Sequence, residues 1–99
     1  MEFTKSERRQ MRELAATVYE TEARGILEDL DAEFARWRAG ECESSELLTA
    51  IHEFHQRQSR ELWVSYQDLS DAAVLERGLS LGLIDKGSIP PTVLAKLHP

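Results

Sequence analysis

His52 and His55, in the segment Ile51-His52-Glu53-Phe54-His55, are the residues of this chain whose types and spacing best suit chemistry. Three apart on a helix, they lie on neighbouring parts of one face and could chelate a single metal ion. Two ligands are too few for a site. A zinc-protease helix carries its histidines at i,i+4 with glutamate directly after the first. Here Glu53 follows His52, but the second histidine comes one residue early. The Glu-x-x-His pair of di-iron bundles is missing too, because Thr49 stands three before His52. Further ligands would have to come from Glu22, Glu33, Glu46 or Glu61, so His52, His55, Glu22 and Glu33 are weak metal candidates. The structural reading is stronger. His55 follows Ile51 by four residues and Phe54 by one, within or beside an apolar stripe, where a neutral imidazole can be hydrogen-bonded to Glu22, Asp29 or Glu33 of the preceding helix. No catalytic residue and no cofactor are expected, since no Gly-rich phosphate loop follows a strand and no Ser/His/Asp arrangement is evident.

A second group is suited to recognition rather than reaction. Trp37, Arg60, Trp63, Tyr66 and Leu69 are of types that anchor protein interfaces or fill a core. Arg60 can pair with an acid of the first helix or lie over an aromatic ring. Cys42 is the single cysteine. Glu41 and Glu43 beside it oppose thiolate formation, and an intramolecular disulfide is excluded.

Charge narrows the partners. The formal net charge is −6, with 2 basic against 6 acidic residues between positions 41 and 70. An acidic chain is repelled by phosphate backbones and anionic membranes, which disfavours nucleic-acid binding and membrane association. The one basic cluster is Lys5, Arg8, Arg9 and Arg12, and Glu7 and Glu13 interrupt it. A solvated helix face is the expected reading there. The lone cysteine, the lack of an apolar leader and the lack of any long apolar run lead to the expectation of a cytoplasmic protein.

The elements that must position these residues read as helices. Ser6 to Arg38 holds no proline, and Met11, Leu14, Ala15, Val18, Tyr19, Ala23, Ile26, Leu27, Leu30, Phe34 and Trp37 return at helical spacing. Thr4 and Glu7 fit a capping box at its start. Gly25 marks a bend, a break or a close approach of another helix, with close approach favoured. Gly40 ends the helix, and Ser44 or Ser45 caps a second one running from about Ser45 to Gln67. That helix is expected to bury Leu47, Leu48, Ile51, Phe54, Leu62, Tyr66 and Leu69. Glu53, Arg57 and Glu61 at i,i+4 predict a solvated face. Ser70 and Asp71 start a shorter helix that Gly78 and Gly82 weaken or end. After the breaker cluster Gly87-Ser88-Ile89-Pro90-Pro91, the stretch Thr92 to Leu97 gives a final turn or two. The expected fold is therefore all-α: one helical domain over 1–99, a long antiparallel helical hairpin over about 6–68 and a helical cap over about 70–97. Chains this short often complete such a core by dimerising.

The stretches Phe34-Ala35-Arg36-Trp37-Arg38-Ala39-Gly40-Glu41, Glu46-Leu47, Ile51-His52-Glu53-Phe54-His55 and Ser59-Arg60-Glu61-Leu62-Trp63 resemble a family of small uncharacterised bacterial all-helical proteins. The resemblance covers roughly residues 15 to 97 and implies a bacterial-type, cytoplasmic, all-helical chain without an assigned activity. The expected function is a non-enzymatic helical interaction or regulatory module whose partner is a second copy, as a homodimer, or another protein. A small metal-binding protein using His52 and His55 with first-helix acids is the alternative, and an antitoxin-like or accessory regulator a third reading.

Overall fold

Reciprocal hydrogen bonds start the first helix: the Thr4 backbone N–H donates to Glu7 Oε1 at 2.7 Å, and the Glu7 N–H donates to Thr4 Oγ1 at 3.0 Å. This is the capping box expected from sequence. In the computed structural model, which describes residues 2–97, helix α1 then runs without interruption over Lys5–Arg38. Gly40, at φ +77°, closes it. The Gly40 N–H donates to the Trp37 carbonyl and the Glu41 N–H to the Arg36 carbonyl, which satisfies carbonyls that the helix end leaves unpaired.

The second helix forms over Ser44–Tyr66 in three pieces: α2 over Ser44–Glu53, a π-helical segment over Phe54–Ser59 and α3 over Arg60–Tyr66. Glu43, rather than Ser44 or Ser45, occupies the cap position of α2, and its N–H donates to Glu46 Oε2 at 2.7 Å. Ser44 Oγ instead accepts from Trp37 Nε1 at 3.0 Å. Helix α4 covers Asp71–Leu81, with Ser70 Oγ accepting from the Ala73 N–H, and it closes at Gly82, φ +72°. A 3-10 turn at Lys86–Ser88 leads into α5, Pro91–Leu97, where proline at the first helical position removes only an N–H that would be unpaired anyway. The described residues form no strand, so the protein is all-α. No helix among them is long and apolar enough to cross a membrane.

The chain divides into two compact units, Met1–Glu22 with Asp68–Pro99 and Ala23–Gln67. The first has a closed core. Met11, Ala15 and Val18 of α1, Val74 and Leu75 of α4, and Ile84, Ile89, Val93 and Leu97 are all buried. Gly78 permits this packing, since a Cβ there would lie 2.7 Å from Val18 Cγ2 and 2.9 Å from Ile84 Cγ2. The close approach expected at Gly25 is at Gly78 instead; nothing lies within 4 Å of a Cβ at Gly25. Two ion pairs fasten the unit. Arg77 donates from Nε and Nη2 to the two carboxylate oxygens of Glu22, at 3.1 and 2.8 Å, and Lys96 Nζ donates to Glu7 Oε1 at 2.7 Å. Glu7 is thus buried and paired inward, so it does not offset the neighbouring cations as its sequence position suggested. The Lys96 hydrogen bond, then the Thr4 N–H and Thr92, hold its carboxyl down at a pKa of about 2 against the opposing effect of burial.

The second unit is built differently. Of its apolar side chains only Leu47 and Leu62 are buried, while Ile26, Leu30, Phe34, Ile51, Phe54 and Tyr66 are half-buried. Leu48, expected inside, is exposed, because adjacent residues of a helix point about 100° apart and Leu47 takes the inward position. Leu69, also expected in the second helix, lies beyond its end, in the link around Asp68, whose φ is +63°.

Candidate functional site

The π-helical segment sets the geometry of the candidate surface. A π turn holds more residues than an α turn and is frequent at functional sites. Here it spaces the side chains of Phe54–Ser59 so that His55, Gln56, Ser59, Arg60 and Trp63 line one groove of about 360 Å³. Four of these residues present hydrogen-bonding groups and one an aromatic wall. No acid lines the groove, in a chain of net charge −6. Trp63 is 63% exposed, and Val64 beside it 54%. In the same unit, Asp29, Leu30 and Glu33 of α1 and Glu53, Phe54 and Arg57 of the second helix line a second groove, of about 410 Å³.

The sequence-predicted residues separate into those this groove brings together and those it does not. His55, Arg60 and Trp63 meet. His52 is exposed outside the groove, and neither histidine is hydrogen-bonded to a first-helix acid among the described residues, which corrects the structural role expected for His55. The physical reason is position: Ile51, Phe54 and Leu62 take the inward face, and the imidazoles fall on the flank beside it. Glu22 lies in the first unit, held by Arg77, and Glu33 is 3.1 Å from Arg36. No three His, Cys, Asp or Glu side chains converge on one point among the described residues. Ser59 and His55 share the groove, with no hydrogen bond between them among the described residues.

Trp37 is 41% exposed and tied to Ser44, while Tyr66 is half-buried. Leu69 belongs to the first unit, whereas Trp37, Arg60, Trp63 and Tyr66 belong to the second. Sequence reasoning missed Leu48, 67% exposed, and Leu27, 53% exposed. For Leu48 the signal was present, because two adjacent leucines cannot both face one helix seam. Glu53, Arg57 and Glu61 are all exposed, the solvated face that their spacing predicts, and they form no ion pair with one another among the described residues, since the π turn moves these side chains out of four-residue stacking. Chemically the surface offers hydrogen-bonding groups beside apolar area. Neither a known protein family, nor a curated protein, nor a solved structure matches the chain.

Proposed function

We propose that this chain is a non-enzymatic helical protein–protein interaction module, in which residues 23–67 form an antiparallel hairpin that pairs with a second copy to complete a bundle. The observation that supports it is the contrast between the units: nine buried apolar residues serve the first, and only Leu47 and Leu62 serve the second. A hairpin that leaves Leu27, Leu48, Trp63 and Val64 in water is stabilised when another apolar face covers them, at about 25 cal/mol per Å². Self-pairing is the simplest such cover, because a two-fold interface uses one patch twice. The groove donors at Arg60 and His55 fit the polar rim of such an interface.

Native mass spectrometry of the untagged protein, purified without chelator, tests this reading. A metal-free dimer is expected, with Trp63→Ala weakening it by about 2 kcal/mol, or about thirtyfold in dissociation constant, as for an interface anchor. A monomer at concentrations well above micromolar removes the proposal, and so does a dimer that is indifferent to Trp63→Ala and Leu48→Ala together.

A further inference from the structure

We propose that the N-terminal face of α1 is an anion-binding site that takes a short, multiply charged phosphoryl group. Lys5, Ser6, Arg8, Arg9 and Arg12 line one concavity of about 580 Å³, and no acid lines it. These cations recur every three or four residues, so they form a single stripe about 10 Å long on the helix. Read along the sequence, Glu7 divides the cluster. In the fold it does not, because its carboxylate is turned into the core and held by Lys96 and the Thr4 N–H. Glu13 is the only other acid within the stripe's span or one residue of its ends, and it forms no ion pair with Arg9 or Arg12 among the described residues. Four positive charges are therefore left with no carboxylate partner there. Arg8 is also oriented: its Nη1 donates to the Phe3 carbonyl at 2.7 Å, which leaves the rest of the guanidinium to face outward.

The chemistry of the cluster selects the ligand class. Three of the four cations are arginines, whose planar forks bind oxyanions with two parallel hydrogen bonds. One phosphate is small for a concavity of this volume and stripe length, whereas two or more linked phosphoryl groups span it. A long polyanion is disfavoured, since Glu2 and Glu13 bound the stripe and the rest of the chain carries the excess negative charge. Such a ligand comes either free in solution or as a lipid headgroup, and both present the same charges.

Isothermal titration calorimetry with inorganic pyrophosphate, and cosedimentation with phosphatidylcholine vesicles with and without a phosphatidylinositol bisphosphate, test the site on the full chain. Arg9→Gln/Arg12→Gln is compared with Arg38→Gln/Lys86→Gln, which removes the same charge elsewhere; all four side chains are exposed, and far-UV circular dichroism verifies folding. Saturable pyrophosphate binding that weakens at least about tenfold in the first variant and not in the second supports the site with a free ligand. Binding confined to the bisphosphate vesicles, with the same variant pattern, supports it with a headgroup. No binding to either probe overturns the proposal, as does equal weakening by both variants. Tighter, Arg9- and Arg12-dependent binding of a single-stranded oligonucleotide also overturns it, in favour of an extended polyanion.

Discussion

Replacing Gly78 by alanine adds one methyl group at the tightest contact of the first unit. The new Cβ lies 2.7 and 3.0 Å from the two Val18 methyls and 2.9 Å from Ile84 Cγ2, all well inside contact distance. Val18 is fully buried, and both neighbours are β-branched with stiff side chains, so neither can swing aside without moving backbone. Overpacking of this kind costs about 1–3 kcal/mol. Alanine returns about 1 kcal/mol through its better helix propensity, since Gly78 is inside α4. The expected net loss is about 0–2 kcal/mol, or up to about 15 °C in melting temperature for a domain of this size. The same substitution at Gly25, also inside a helix but with open space around its Cβ, is expected to stabilise by about 0.5–1 kcal/mol. Urea unfolding followed by circular dichroism measures both. Adding Val18→Ala to Gly78→Ala should give a combined loss smaller than the sum of the two, because the added methyl then fills space that the smaller side chain vacates. Equal stabilisation by alanine at both glycines refutes the packing argument, since it leaves only intrinsic propensity at work.

Glu7 makes stability depend on acid. Its folded pKa of about 2 lies below the ordinary 4.5, so its contribution is fully present above pH 4.5 and is lost as the pH falls from there toward 2; melting temperatures across that window should drop more steeply for the native chain than for Glu7→Gln. Parallel curves for the two proteins refute the assignment. For the proposed association, Trp63 emission should shift to the blue on concentrating the Trp37→Phe protein, in which Trp63 is the only tryptophan, and an unchanged spectrum across the association range counts against burial of that ring. The phosphoryl site predicts a steep fall in pyrophosphate affinity with added salt, because its cations are exposed and screened.

The helical content and the helix ends were legible because they rest on local chemistry. Thr4 with Glu7, Gly40, Ser70 and Gly82 each act within a few residues of themselves, and the structure places each of these caps where the sequence does. Facing partners were not legible, because they depend on which turn of one helix meets which turn of another. Gly25 and Gly78 look alike in sequence, and only the latter has Val18 and Ile84 against it. Ile89 reads as part of a Gly/Ser/Pro breaker, yet it is 3% exposed and completes the core of the first unit. Glu7 reads as a surface charge because Lys96, its partner, is 89 residues away. At the candidate site, the types at positions 55, 60 and 63 were recognisable, but their convergence depends on a π turn that leaves no sequence mark.

That π turn has a physical role that its length makes testable. Fifteen residues separate Leu47 from Leu62, and Ile51 from Tyr66, which is about 4.2 turns at 3.6 residues per turn. In a regular helix the later member of each pair would sit about 60° off the seam. One residue absorbed by the wider turn leaves an effective fourteen, about 3.9 turns, and brings both pairs back to the inward side, as the burial of Leu47 and Leu62 requires. Deleting exposed Gln56 from the turn should therefore be tolerated, with Phe54 to Ser59 becoming α-helical and the seam kept in phase. Deleting exposed Ala16 from α1 has no such compensation and rotates Val18 about 100° from Met11. The expected result is an unfolding midpoint within about 1 kcal/mol of the native value for the Gln56 deletion, against a loss of several kcal/mol for the Ala16 deletion. The Gln56 deletion also separates stability from recognition. It removes the spacing that brings His55, Ser59 and Trp63 into one groove while leaving the seam intact, so a protein that stays folded but no longer associates ties the association to the π turn itself. Equal damage from the two deletions refutes the phase argument, because it would mean that the helix cannot give up the extra residue.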